Sequence, residues 1–121
     1  MQHVQHTFSV SVRYPGERPQ VAILDLRGDV DKMIEAALHE AFDAAEGESV
    51  ETIALNFSDV ELINSTGIAL IVGLLARARR SQRRLIVYGL NAHYEEIFHI
   101  TRLADFIPIY ADEASALDAT G

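Results

Sequence analysis

Three strand patterns alternate with helix patterns along this chain, and that alternation constrains its fold more than any other feature. Strands are predicted at Val21 to Leu26, Thr52 to Phe57 and Leu85 to Tyr88, from short runs of alternating or continuous apolar residues. Helical spacing of apolar residues separates them, from Asp31 to Gly47 and from Ile68 onward. Because a helix that crosses between neighbouring strands makes those strands parallel, the pattern predicts an α/β fold. Functional loops in such folds follow the carboxyl ends of the strands.

The two ends of the chain complete the predicted topology. An opening strand alternates apolar and polar residues from Phe8 to Arg13, and the turn-rich segment from Tyr14 to Pro19 returns it antiparallel to the next strand. The predicted order is β-β-α-β-α-β-α-β, a mixed, largely parallel sheet with crossover helices in one domain spanning residues 1–121. The remaining elements are a third helix capped by Asn91 with Ile97 and Ile100 on its inner face, an edge strand from Phe106 to Tyr110 that contains Pro108, and terminal helical turns from Asp112 to Leu117.

Composition narrows the class of function. About half of the 121 residues are hydrophobic, which is enough for one real core. The formal net charge of −8 argues against a protein that holds nucleic acid or an anionic membrane through a general positive field. The chain contains no cysteine, so disulfides and thiol chemistry are excluded. The opening Met1 to His6 has no signal-peptide pattern, and no apolar run could span a membrane, so we expect a cytoplasmic protein that binds a protein or small-molecule partner without a cofactor.

The second predicted helix carries two apolar sets. Ile68, Ile71, Val72 and Leu75 fall at i, i+3, i+4 and i+7 and are predicted to face the sheet. Two further leucines stand outside that stripe, Leu70 about opposite it and Leu74 beside it. They could contact a partner, or neighbouring helices could cover them, and the sequence does not decide between the two.

The start of this helix is the segment Asn64-Ser65-Thr66-Gly67, directly after a predicted strand. Ser65 is predicted to be the N-cap residue, with Thr66 as the near alternative, and Gly67 leaves the neighbouring backbone unshielded. A helix start attracts anions through its unpaired N–H groups and the helix dipole. On the local pattern alone, a hydroxyl residue in this place is predicted to be a helix cap. Any further function for it has to be inferred from the rest of the chain.

A larger set of residues resembles a known family. The matching stretches are Leu26 to Asp31, Leu55 to Ile68 with the Asn-Ser-Thr-Gly segment inside it, Leu85 to Asn91, and Ile97 to Tyr110. Together they resemble the STAS family, the bacterial anti-sigma factor antagonists, over residues 21–117. Two positions depart from the family pattern. Asn64 stands where aspartate is usual, and Arg102 stands where glycine is common.

The resemblance implies a partner-switching protein and not an enzyme. In that family an anti-sigma factor with serine/threonine kinase activity phosphorylates the hydroxyl residue of the motif. The unphosphorylated protein binds the kinase and frees the sigma factor, and a serine phosphatase restores it. Carried over, the phosphorylated residue is Ser65, with Thr66 the less favoured position. The partner-binding residues would be Asn64, Ser65, Thr66, Gly67, Leu70 and Leu74.

Two alternative functions stay open. A STAS domain can also be a structural subunit of a stress-sensing scaffold or lipid-transport complex, without a phosphorylation cycle, and the missing carboxylate at Asn64 gives this second hypothesis more weight than it would otherwise have. A small anionic ligand could instead bind at the helix start. A serine hydrolase is disfavoured because Ser65 lacks the G-x-S-x-G elbow.

Neither the arginines nor the histidines predict a site. Arg77, Arg79, Arg80, Arg83 and Arg84 could form a nucleic-acid patch, but cations at a helix end complement the helix dipole, and the net charge favours that interpretation. We therefore expect no direct contact with nucleic acid and no membrane insertion. The histidines at 3, 6, 39, 93 and 99 have no metal-binding spacing, so no metal site is predicted.

Overall fold

A five-stranded sheet with four α-helices forms the protein in the computed structural model, which describes residues 8–16, 18–47 and 49–120. The opening residues 1–7, with His3 and His6, lie outside the described residues. Two 3₁₀ turns lie at Lys32–Ile34, directly before the first α-helix, and at Leu103–Asp105, shortly after the third. The elements are β1 (Ser9–Arg13), β2 (Val21–Arg27), α1 (Glu35–Ala45), β3 (Thr52–Asp59), α2 (Ser65–Arg80), β4 (Arg84–Tyr88), α3 (Ala92–Ile100), β5 (Ile109–Tyr110) and α4 (Glu113–Thr120).

The sheet follows chain order, β1-β2-β3-β4-β5. β1 pairs antiparallel with β2, and all other neighbours are parallel. The predicted fold class and element order are therefore confirmed, as is the edge position of the last strand. A sheet in chain order requires each crossover helix to carry the chain to the adjacent strand, so the carboxyl ends of β2, β3 and β4 lie at one edge of the layer.

Side chains alternate between two apolar clusters on either side of the central strands. The larger cluster packs Leu24 and Leu55 of the sheet against Phe42 of α1, Leu74 of α2 and Phe98 of α3. The smaller cluster packs Ile23, Ala54 and Ile86 against Ala116 of α4. Because successive residues of a strand point to opposite faces, β2 and β3 are buried on both sides and read as nearly continuous apolar runs.

Polar side chains fasten α4 to the sheet beside the smaller cluster. Arg13 of β1 forms ion pairs with Asp25 at 2.6 Å and with Glu113 at the start of α4. The hydroxyl of Tyr88 donates a hydrogen bond of 2.9 Å to the same Glu113 carboxylate. The hydrogen bond from Arg13 holds the pKa of Glu113 below its ordinary value, and burial raises the pKa of Tyr88. The smaller cluster is thus closed by a charged group that remains ionised at neutral pH.

Two expectations about the last third of the chain were wrong in detail. Ile100 is 72% exposed, because the inner face of α3 is formed by Tyr94 and Phe98, and Ile100 stands about 200° around the helix from Phe98. The final strand is only two residues long, since the chain turns through the second 3₁₀ segment before it reaches the sheet. Phe106 therefore lies outside that strand and is 53% exposed.

Arg102 has a left-handed backbone, with φ of +67° and ψ of +11°. This conformation costs an L-residue about 1–2 kcal/mol, and only glycine adopts it freely. The glycine common at this position in the family pattern is therefore explained by the turn between α3 and the 3₁₀ segment. Arg102 also forms an ion pair of 2.6 Å with Asp105, three residues further along.

Candidate functional site

Asn64 is the N-cap residue of α2. Its backbone is extended, with φ of −90° and ψ of −177°, and its side-chain Oδ1 accepts a hydrogen bond of 2.9 Å from the N–H of Gly67. The prediction that Ser65 caps the helix was therefore wrong by one residue. Asparagine is among the best N-cap residues because its short side chain reaches the N–H three positions ahead. An uncharged side chain thus performs the capping role where the family pattern has aspartate.

Ser65 and Thr66 are the first two residues of α2, and both are exposed. Within the described ranges, neither hydroxyl has a hydrogen-bond partner. The N–H groups of the first helical turn have no acceptor inside the helix, and the cap provides an acceptor for only one of them. Ser65 therefore presents a free hydroxyl beside unpaired backbone donors at the carboxyl edge of the sheet.

A short seam joins this helix start to the loop between β2 and α1. The N–H of Val30 donates to the carbonyl of Leu62 at 2.8 Å, and the N–H of Asn64 donates to the carbonyl of Val30 at 3.3 Å. Val30 and Ile63 form an isolated parallel bridge. Because both loops are tied by backbone hydrogen bonds, the surface around Ser65 is built from two rigidly connected segments.

Gly67 lies against this seam. It is buried, and a Cβ added to it would lie 2.0 Å from the carbonyl oxygen of Val30. The expectation that Gly67 leaves the backbone unshielded was therefore wrong. The glycine permits α2 to pack directly on the β2–α1 loop, and that contact fixes where Ser65 lies.

The inner stripe of α2 differs from the predicted one. It consists of Gly67, Ile71, Leu74 and Ala78, all buried. Leu74 is 0% exposed, so of the two alternatives left open for it the second holds: neighbouring elements cover it, and it offers no surface contact to a partner. Val72, predicted to face the sheet, is 44% exposed. Leu70 is half-buried and packs against the edge of the larger cluster.

A line of mostly small or apolar residues, ending in an arginine, runs along the opposite side of α2 and was not predicted from the sequence. Starting at Ser65, it continues at positions i+4, i+7, i+11 and i+14, which are neighbours on one helix face, and every member is exposed. The spacing was visible in the sequence, but assigning Val72 to the core concealed it. We call this line the outer stripe; it comprises Ser65, Ala69, Val72, Ala76 and Arg79.

The arginines around the end of α2 have different surroundings. Arg77 forms ion pairs with Asp43 and Glu46, and its guanidinium lies 4.7 Å from the centre of the Phe42 ring. Arg83 donates to the backbone carbonyls of Val50 and Gly47. These two residues therefore fasten α1 and the following loop to α2. Arg77, Arg79 and Arg80 lie in the last turn of the helix, as the dipole interpretation predicts.

In the described part of the chain, no three histidine, aspartate or glutamate side chains come together in a way that could hold a metal ion. None of the described helices has the length and apolar character needed to cross a membrane.

Two substitutions of Asn64 distinguish the effect of the cap hydrogen bond from the effect of a negative charge at this position. We expect Asn64→Ala to lower the free energy of unfolding by about 1 kcal/mol, because it leaves the N–H of Gly67 unpaired. Asn64→Asp keeps the accepting oxygen and is expected to leave stability unchanged or slightly higher. Urea denaturation followed by circular dichroism measures both. Equal losses in the two variants would contradict the assignment of the cap.

The sequence matches the STAS domain family over residues 16–116. An anti-sigma-B factor antagonist of Listeria monocytogenes is 27% identical over 82 residues, covering 68% of this chain and 72% of the relative. An anti-sigma-B factor antagonist of Staphylococcus aureus is 26% identical over 82 residues, covering 68% of this chain and 76% of the relative.

Solved structures share the fold. A crystal structure of an anti-sigma factor antagonist from Mycobacterium paratuberculosis superposes with a TM-score of 0.79 at 19% identity, covering 98% of this chain and 97% of the other. The Bacillus cell fate determinant SpoIIAA in its phosphorylated form has a TM-score of 0.65 at 21% identity, covering 93% and 100%. Since the family match spans most of the chain, the protein belongs to the STAS domain family.

Proposed function

We propose that this protein is an anti-sigma factor antagonist. In this proposal it binds an anti-sigma factor with serine/threonine kinase activity, and phosphorylation of Ser65 ends that binding. The observation that carries the proposal is the exposed hydroxyl of Ser65 on the first residue of α2, free of hydrogen bonds to the described residues. The names of the curated relatives support the class of function. A serine phosphatase would return the protein to its binding state.

The helix start can accept a phosphate without losing its fold. A phosphoryl group adds about −1.5 to −2 charges and three acceptor oxygens. The unpaired N–H groups of the first helical turn and the positive end of the dipole favour that charge. Because the N-cap residue Asn64 is uncharged, a phosphate on Ser65 experiences less electrostatic repulsion than it would beside an aspartate cap. The cap hydrogen bond to Gly67 stays in place, because Ser65 takes no part in it.

Release of the partner then follows from a changed surface. A kinase surface that fits a free hydroxyl has to accommodate a bulky dianion after phosphorylation. A mismatch of about 2.7 kcal/mol reduces affinity 100-fold. The seam between Val30 and Ile63 holds the surrounding backbone in place, so it has little freedom to relieve the mismatch.

Binding measurements with three variants test this proposal. Wild-type protein and Ser65→Ala are expected to bind the kinase-type anti-sigma factor of the source organism with similar affinity, and Ser65→Asp to bind about 100-fold more weakly. Thr66→Asp is the matched control, since it places the same charge one residue further along the helix. It should weaken binding less than Ser65→Asp does.

Phosphorylation itself is measured by mass spectrometry after incubation with the kinase and ATP. One phosphate is expected on the wild type and on Thr66→Ala, and none on Ser65→Ala. Equal binding by all variants would contradict the switch. Stable binding without any phosphate would instead support the structural-subunit alternative.

A further inference from the structure

An apolar groove lies beside the second half of α2. One hollow of about 360 Å³ lies between this helix and the segment that connects α3 to β5, and Arg79 is its one charged lining residue. A second hollow of about 210 Å³ shares Leu75, Arg79 and Phe106 with it and continues to Arg84 and Pro108. We call the two together the α2 groove. The larger hollow is lined by Val72, Leu75, Ala76, Arg79, Leu103 and Phe106.

The groove exposes side chains that are normally buried. Phe106 and Val72 are each about half exposed, although both are large and apolar. The guanidinium of Arg79 lies 5.3 Å from the centre of the Phe106 ring and covers part of it. Exposed apolar side chains of this size, grouped beside a cation, form a surface that a partner's apolar side chain can cover.

The charge at the border of the groove is opposite to that of the whole protein. The chain has a formal net charge of −8, yet Arg79 and Arg84 border the groove and form no ion pair with any described residue. Arg83 also lines the smaller hollow, but the loop after α1 already holds it through two backbone carbonyls, and Arg77 is held by Asp43 and Glu46. The two unpaired cations therefore complement an apolar surface that carries carboxylates.

The groove continues the surface that contains Ser65. Val72 and Arg79 belong to the outer stripe and lie seven and fourteen residues after Ser65. At 1.5 Å per residue they lie about 10 and 21 Å from it along the helix. A protein interface of standard size covers about 800 Å² on each partner, which corresponds to a patch about 30 Å across. One partner can therefore cover Ser65 and the α2 groove together.

We infer that the α2 groove is a second docking point for the same anti-sigma factor, which inserts an apolar side chain flanked by carboxylates. This inference rests on the proposed function. Ser65 controls whether the partner binds, and the groove supplies affinity that does not depend on the charge at Ser65. Contact at both ends of the outer stripe also fixes the orientation of the partner along α2.

Affinity for the kinase-type anti-sigma factor, measured by isothermal titration calorimetry, tests the inference. Phe106→Ala and Arg79→Glu are each expected to weaken binding about 10-fold, because aromatic and arginine residues that fill or flank a pocket are the interface residues whose replacement costs most. Tyr14→Ala is the control for the aromatic change, because Tyr14 is 49% exposed and follows β1 at the other edge of the sheet. Arg80→Glu is the control for the charge change, because Arg80 neighbours Arg79 but lines neither hollow. Both controls should stay within about twofold of the wild type, given that exposed residues outside an interface contribute little.

The outcomes separate the two proposals. If Ser65→Asp loses binding while Phe106→Ala and Arg79→Glu match their controls, the groove is not a docking point and the proposed function stands. If wild-type protein does not bind the anti-sigma factor, both are overturned. Concentration-dependent dimers that Phe106→Ala abolishes, or binding to phosphatidylglycerol vesicles that Arg79→Glu abolishes, would assign the groove to a second copy of this chain or to a lipid surface and would overturn the inference.

Discussion

Replacing Gly67 by alanine is expected to lower the free energy of unfolding by about 3 kcal/mol or more, the range of severe backbone and overpacking defects. The added methyl group would lie 2.0 Å from the carbonyl oxygen of Val30 and 3.0 Å from the side chain of Ile63. The first contact is with backbone, which has to move as a whole. Either α2 shifts away from the β2–α1 loop, or the hydrogen bond between Asn64 and Val30 is lost. Urea denaturation followed by far-ultraviolet circular dichroism measures the loss.

Gly73 provides a control within the same helix. It is exposed, and a Cβ added there has nothing within 4 Å. Gly73→Ala is therefore expected to stabilise the protein by up to about 1 kcal/mol, because alanine is the better helix former. If both alanine variants raised stability, the close packing of α2 against the loop at Val30 would be contradicted.

Leu74→Ala is expected to lower the free energy of unfolding by about 2–5 kcal/mol, the usual cost of truncating a fully buried leucine. Leu74 lies on the inner stripe of α2 and packs in the larger apolar cluster with residues of the sheet. Truncation removes apolar contact and leaves a cavity between rigid elements. Thermal or urea denaturation measures the loss, and binding to the anti-sigma factor should change only as far as folding does.

Val72→Ala is the matched comparison, since Val72 lies on the outer stripe of the same helix. Its side chain is already half exposed, so truncation should cost less than about 1 kcal/mol of stability. The two substitutions therefore have opposite signatures. Leu74→Ala changes folding, and Val72→Ala is expected to change partner binding more than folding. Equal stability losses would contradict the assignment of the two stripes.

The strands could be predicted closely from the sequence because burial on both faces leaves an unambiguous pattern. β2 was predicted at Val21 to Leu26 and extends to Arg27, and β3 begins at Thr52 as predicted. The prediction that Asn91 caps α3 was also correct, since its side chain accepts a hydrogen bond from the N–H of Tyr94. Each of these signals is local, so neighbouring residues along the chain suffice to identify it.

The errors concern α2, where contacts distant in sequence decide the outcome. Almost every residue in the first half of α2 is hydrophobic, so the sequence is compatible with several different buried faces of the helix. Only packing against the sheet determines that the buried face contains Ile71 and Leu74. The role of Gly67 depends on Val30, which lies 37 residues earlier in the chain and cannot be identified as a neighbour from composition or period. The cap was misplaced because Asn64, Ser65 and Thr66 are all competent N-cap residues. The order of the elements was thus predictable, and the face that α2 presents to a partner was not.

The seam between the β2–α1 loop and the start of α2 affects how fast the protein can respond. Because the hydrogen bonds of Val30 and Asn64 assemble the surface around Ser65 beforehand, no segment of this surface has to fold when a partner arrives. Association is then limited by the orientation of two rigid bodies, at about 10⁵–10⁷ M⁻¹ s⁻¹. A phosphate at Ser65 would change mainly how long each complex lasts, and far less how often the two proteins meet. Under the proposed function, the rates of the kinase and the phosphatase would then determine the rate of sigma-factor release, because no slow conformational change of this protein is required.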